Sequence, residues 1–101
     1  MADSTLKDPL GRVLVLSERT WYGHVLRGHP EMKGLRRLVE AAIRRPDEVR
    51  FSQSDPDCRL YFAAGPRPAL RILVVGDVVG GFVKTAHLAR RISGGDREWP
   101  S

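Results

Sequence analysis

The stretch Leu70-Arg71-Ile72-Leu73-Val74-Val75-Gly76-Asp77-Val78-Val79-Gly80-Gly81-Phe82-Val83-Lys84-Thr85-Ala86-His87-Leu88 decides the reading of the fold. Leu70 to Val75 is the most continuously apolar run of the chain, the pattern of a strand buried on both faces and therefore central. Asp77 to Gly81 ends in two glycines, which tolerate the backbone that a tight hairpin needs. Phe82 to Leu88 returns as a second strand. Strict alternation would send Phe82, Lys84, Ala86 and Leu88 to one face and Val83, Thr85 and His87 to the other.

Working outward, Cys58, Leu60 and Phe62 alternate with Arg59, Tyr61 and Ala63, and Val49 and Phe51 alternate with Glu48 and Arg50. The turn cluster Ser54-Asp55-Pro56-Asp57 and the break Gly65-Pro66-Arg67-Pro68 separate these strands. Further upstream the period changes. Leu35, Leu38, Val39, Ala42 and Ile43 follow the spacing of an amphipathic helix that Pro46 stops, with Arg36, Arg37, Glu40 and Arg44 off the apolar stripe. Ser17 reads as the N-cap of another helix, with Glu18 in its first turn, Trp21 and Val25 on one side, and Gly28 and Pro30 at its end. Val13 to Leu16 suits a short strand. Residues 3–8 read as a loose arm, and the tail with Gly94-Gly95 and Trp99-Pro100 as frayed. The expectation is an α+β, two-layer domain: an N-terminal helical hairpin packed on a four-stranded antiparallel sheet. It forms one domain over 1–101, with a core of about 12–92 and flexible ends.

Composition bounds the function. The chain has 101 residues, of which 42% are hydrophobic and 29% charged, an ordinary globular balance rather than a disordered one. Its net charge of +5 favours an anionic partner, nucleic acid first. The excess is spread along the chain and forms no basic arm. A single cysteine, Cys58, allows neither a disulfide framework nor a cysteine-based zinc site within one chain, and its apolar neighbours favour a core role. The first residues lack a signal-peptide pattern and no apolar run is long enough to span a bilayer. The expected location is cytoplasmic, with no membrane partner, and signal-independent export stays compatible.

Chemistry concentrates in two places. One is His24-Val25-Leu26-Arg27-Gly28-His29-Pro30-Glu31, where two histidines, an arginine and a glutamate meet at a helix end. The same residues could simply cap the helix and shape the turn. The other is Lys84-Thr85-Ala86-His87 on the last strand, where Thr85 and His87 share a face and an ordinary solvent-facing pair is the plain alternative. Arg71 lies opposite if the hairpin centres near Val79, and one slip of register reverses its face. Tyr61 could stack on a base or pack on a neighbouring strand. The histidine spacing is not that of a helical zinc pair, so no metal or other cofactor is expected.

The run Trp21-x-x-His24-Val25-Leu26-x-x-His29-Pro30-Glu31-Met32, followed by Arg45-Pro46-Asp47-Glu48-Val49 and a late Val83-Lys84-Thr85-Ala86, resembles a known group. It looks like the small phage- and mobile-element-associated nuclease domains of the barnase–EndoU–colicin–RelE (BECR) superfamily, over about residues 12–88. The resemblance implies cleavage of RNA without a metal. His24 and His29 would be acid and base, and Thr85 a contact to the phosphate. His87 stands where that superfamily usually has Tyr, as a stacking ring or an extra titratable group. Independently, RNA carries its own nucleophile in the 2′-hydroxyl, so an enzyme needs a base, an acid and cations around the phosphorane. Histidine suits both proton roles, and Arg27, Lys84 and Arg71 suit the phosphate. The expected activity is that of a metal-independent endoribonuclease, with a toxin as one form it could take, acting on tRNA, mRNA or ribosome-bound message. An inhibitory antitoxin or immunity protein would be a second partner. The competing class is a non-catalytic RNA- or protein-binding module.

Overall fold

The helix Arg36–Arg44 forms where the apolar spacing places it. Val39, Ala42 and Ile43 are fully buried, Leu35 and Leu38 are partly buried against the same core, and Pro46 lies beyond its end. Burying each large aliphatic side chain here contributes about 1.5–3 kcal/mol. The computed structural model describes residues 2–101.

A single curled sheet wraps this helix. Its strands are β1 (Ser4–Lys7), β2 (Val13–Leu16), β3 (Glu48–Phe51), β4 (Cys58–Ala64), β5 (Arg71–Asp77), β6 (Phe82–Ala89) and β7 (Arg97–Trp99). They run in the order β1-β2-β6-β5-β4-β3-β7. All neighbours are antiparallel except β2 and β6, which meet in parallel at Val15 and Phe82. The expected helical hairpin on a four-stranded antiparallel sheet is therefore wrong. The molecule is a mixed, seven-stranded curled sheet around one short helix.

Three errors of reading explain the difference. Residues 3–8 are not an arm: β1 pairs with β2, and its one apolar residue, Leu6, is fully buried. A strand with a single apolar residue leaves almost no periodic signal. The tail is not frayed either, because Val49 of β3 pairs with Trp99 of β7. The chain reaches β7 by crossing the sheet on the face opposite the helix. Gly94 there has a left-handed φ of 111°, and a Cβ on it would stand 2.6 Å from Leu60 Cδ1. Finally, Arg36 is buried rather than off the stripe. Its guanidinium donates to the Ala2 carbonyl at 2.9 Å and to Ser4 Oγ at 3.2 Å, while Ser4 also donates to Glu40. The arm that looked loose is what covers this arginine.

The two ends of the sheet order are tied together by charge. Tyr61 on β4 donates to Asp8 at 2.6 Å, and Asp8 pairs with Arg12 at 2.8 Å. Arg12 reaches Glu98 on β7 with both terminal nitrogens, at 3.0 and 2.6 Å, and Glu98 also pairs with Arg59 at 2.9 Å. Burial opposes the charge on Asp8 and Glu98. Donors from Tyr61 and Arg12 at Asp8, and from Arg12 and Arg59 at Glu98, outweigh it and hold both carboxyls below their usual range. Gly76 makes the curl possible, since a Cβ there would stand 2.9 Å from Leu14 Cδ2 and 3.2 Å from Tyr61 Cε1.

Candidate functional site

Beyond Phe82, β6 runs on without a β2 partner. Its free edge is met by the helical segment 18–28 and the turn Pro30–Met32. The helical segment begins as the sequence predicts, with Ser17 capping the Thr20 N–H at 3.0 Å. It then widens into a π turn over Trp21–Val25, closed by the Leu26 N–H on the Trp21 carbonyl, and ends over Leu26–Gly28. Trp21 and Val25 enter the core. Thr20 and His24, four residues apart on the neighbouring side, face β6. Single π turns inside helices often mark functional positions.

A β-bulge sets the opposing face. Val75 pairs with Thr85 and Gly76 with Val83, so Lys84 is the extra residue. Val83 therefore joins Ala86 on the core side, while Thr85 and His87 share the outer face with Phe82. That corrects the strict alternation, which grouped Val83 with Thr85 and His87. The bulge has no sequence mark beyond the Gly80-Gly81 turn that precedes it.

The two elements enclose an open hollow of about 370 Å³ lined by Thr20, His24, Val75, Phe82, Lys84 and Thr85. The Thr85 hydroxyl oxygen is buried and has no hydrogen-bond partner among the described residues. Leaving such a group unpaired costs about 1–3 kcal/mol, so the position is poised for an incoming polar group. Two residues along β6, about 6.7 Å away, His87 meets His29, with ring centroids 5.1 Å apart and planes tilted by 32°. His87 Nδ1 lies 3.0 Å from the Leu88 carbonyl. A carbonyl only accepts, so Nδ1 carries the hydrogen and Nε2 of the neutral ring is left as an acceptor. His29 Nδ1 lies 3.6 Å from the Glu31 carboxylate.

All four expected catalytic side chains thus lie along one strip: His24 beside Thr85, and His29 against His87. Lys84 is on the rim and 3.5 Å from Asp55, a weak exposed pair. Arg27 is exposed on the helical segment. Arg71 shares the outer face but lies near Asp47, at 3.8 Å, in a separate hollow with Gly65 and Arg67. Tyr61 is excluded as a stacking platform, because it is fully buried and its hydroxyl is given to Asp8. Burial, with Asp8 beside it, pushes its phenol well above the ordinary range. Cys58 is likewise buried. Burial first, then its bond to Asp55, pushes its thiol up to about 11, so it is no nucleophile. Sequence reading missed Thr20, Val75 and Phe82 as lining residues, and the glycines before Phe82 marked only the turn of the hairpin that carries it.

No helix among the described residues is long and apolar enough to cross a membrane. Among the described residues no three His, Cys, Asp or Glu side chains gather as a metal site. Comparison with protein-family models, with curated proteins and with solved structures found no match.

Proposed function

We propose that this protein is a metal-independent endoribonuclease. The observation that carries the reading is the single strip on which His24 and an unpartnered Thr85 hydroxyl stand beside the contacting rings of His29 and His87. The scissile phosphate would lie over Thr85, accepting its hydroxyl hydrogen, with Lys84 at the rim. Nε2 of His87 takes the proton from the 2′-hydroxyl, the 2′-oxygen bonds to phosphorus, and the bond from phosphorus to the 5′-oxygen breaks. His24 gives that oxygen its proton. The products are a 2′,3′-cyclic phosphate and a 5′-hydroxyl. His29 supports the base by packing its ring against His87. This changes the roles expected from the resemblance: His87 becomes the base and His29 its support. The motif resemblance to BECR-type nucleases adds to the reading through these residues and not through the fold.

The test is incubation of the protein with a labelled RNA and with the same DNA sequence in EDTA. Cleavage of the RNA alone, leaving a cyclic phosphate, is expected. Loss of cleavage in EDTA would refute the metal-free mechanism, and full cleavage by the His24→Ala, His29→Ala double variant would refute the assignment of residues. If cleavage arrests growth on expression, an acidic inhibitor covering the basic strip is the fitting partner.

A further inference from the structure

The far side of the helical segment carries a second hollow that the reaction above does not use. It measures about 410 Å³, and its lining includes Trp21, Tyr22, Leu26, Lys33, Gly34 and Arg37. Its lining is mostly apolar, Tyr22 is half exposed, and Lys33 and Arg37 are exposed cations at its edge. A mostly apolar hollow with aromatic rings in its lining and cations at its edge matches a planar ring joined to an anion. That is the chemistry of a nucleotide, and base stacking on aromatic side chains is independent of sequence.

Between the two hollows runs the exposed side of the π turn, and its residue is Gly23. Glycine is the least favourable residue other than proline inside a helix. Nothing in the fold asks for it here. Its φ is outside the left-handed region, and a Cβ would meet no atom within 4 Å. A bare backbone on an open ridge is suited to the close approach of another chain.

We infer that the hollow around Tyr22 binds a nucleotide of single-stranded RNA next to the scissile phosphate, and that the RNA backbone crosses the helical segment at Gly23. The inference rests on the ribonuclease reading and supplies its substrate class: a flexible single strand rather than a duplex, whose stacked bases could not splay across the ridge.

Two readouts separate this subsite from the chemistry. The first is kcat/KM for a dinucleotide and for a tetranucleotide RNA, with wild type, Tyr22→Ala and Gly23→Leu, melting temperatures being recorded alongside. A Cβ at position 23 meets no neighbour within 4 Å and Leu favours helix over Gly, so Gly23→Leu is expected to melt no lower than wild type. Both variants should lose about tenfold on the tetranucleotide and nothing on the dinucleotide. Equal effects on both lengths, or none on either, would overturn the subsite while leaving the ribonuclease reading in place. The second readout is quenching of tryptophan fluorescence by AMP, expected for wild type and weakened about tenfold in Tyr22→Ala. Such quenching without any RNA cleavage would uphold nucleotide binding at the hollow and overturn the ribonuclease reading instead. Quenching by a short oligoaspartate peptide but not by AMP would overturn the nucleotide as its occupant.

Discussion

Two polar clusters of this molecule use similar residues to opposite ends. The chain Tyr61–Asp8–Arg12–Glu98–Arg59 is sunk between sheet ends, and its charges meet opposite charges. The strip His24–Thr85–His87–His29 faces outward, holds an unpartnered hydroxyl and brings two imidazoles together without an intervening carboxylate. Groups that serve the fold satisfy one another. The Thr85 hydroxyl, left without a partner beside the open hollow at a cost to stability, is the group available to a ligand.

Substitution should separate the two. His87→Ala should lower RNA cleavage about a thousandfold while shifting the urea midpoint little, since the ring is on the open face. A loss of stability equal to that of the buried cluster would erase the contrast. Next in size is Asp8→Ala. It strands the Tyr61 hydroxyl and the Arg12 guanidinium, and should cost about 3 kcal/mol in chemical denaturation with cleavage per folded molecule unchanged. The same cluster sets the acid limit. Asp8 and Glu98 have folded pKa values below their unfolded ones, so their stabilisation is present above the unfolded values and is lost as pH falls through the folded ones. Urea midpoints should therefore fall on acidification below about pH 4, and the Asp8→Ala chain should show less of that fall.

Thr85→Val keeps the shape and removes the unpaired hydroxyl. Cleavage should drop about tenfold, one lost hydrogen bond to charged phosphate, and the melting temperature should hold or rise. A clear fall in melting temperature would show that the hydroxyl serves the fold. The smallest effect is that of Tyr61→Phe. It should cost about 1 kcal/mol, a single buried hydrogen bond, and leave RNA cleavage and binding untouched. A binding defect would restore Tyr61 as a nucleic-acid contact.

Legibility followed the size of the local signal. The helix Arg36–Arg44 and the strands β3 to β6 could be read because several apolar residues repeat within each, and the Ser17 cap because a hydroxyl side chain stands before an acidic first turn. β1 and β7 could not, because Leu6 and Trp99 are single apolar residues in polar neighbourhoods and gain their strand pairing from partners far along the chain. The candidate residues His24, His29, Thr85 and His87 were readable as chemical types clustered in two short segments. Tyr61 and Arg36 were misjudged for one reason. Both look like surface residues in their own segments, and both are buried by residues 2–16.

Local spacing alone determined a basic chain with one amphipathic helix, a central apolar hairpin and two histidine-bearing segments, because those properties belong to neighbours along the backbone. The tertiary structure decided the rest: the curl of the sheet, its closure through Arg12 and Glu98, and the meeting of His29 with His87. The closure joins residues 86 positions apart and the histidine contact residues 58 apart, while the curl comes from strand twist summed over seven strands. The one-residue bulge at Lys84 completes the site. It turns Thr85 and His87 together onto the outer face, and pairing geometry, not side-chain pattern, sets which way a strand turns its side chains.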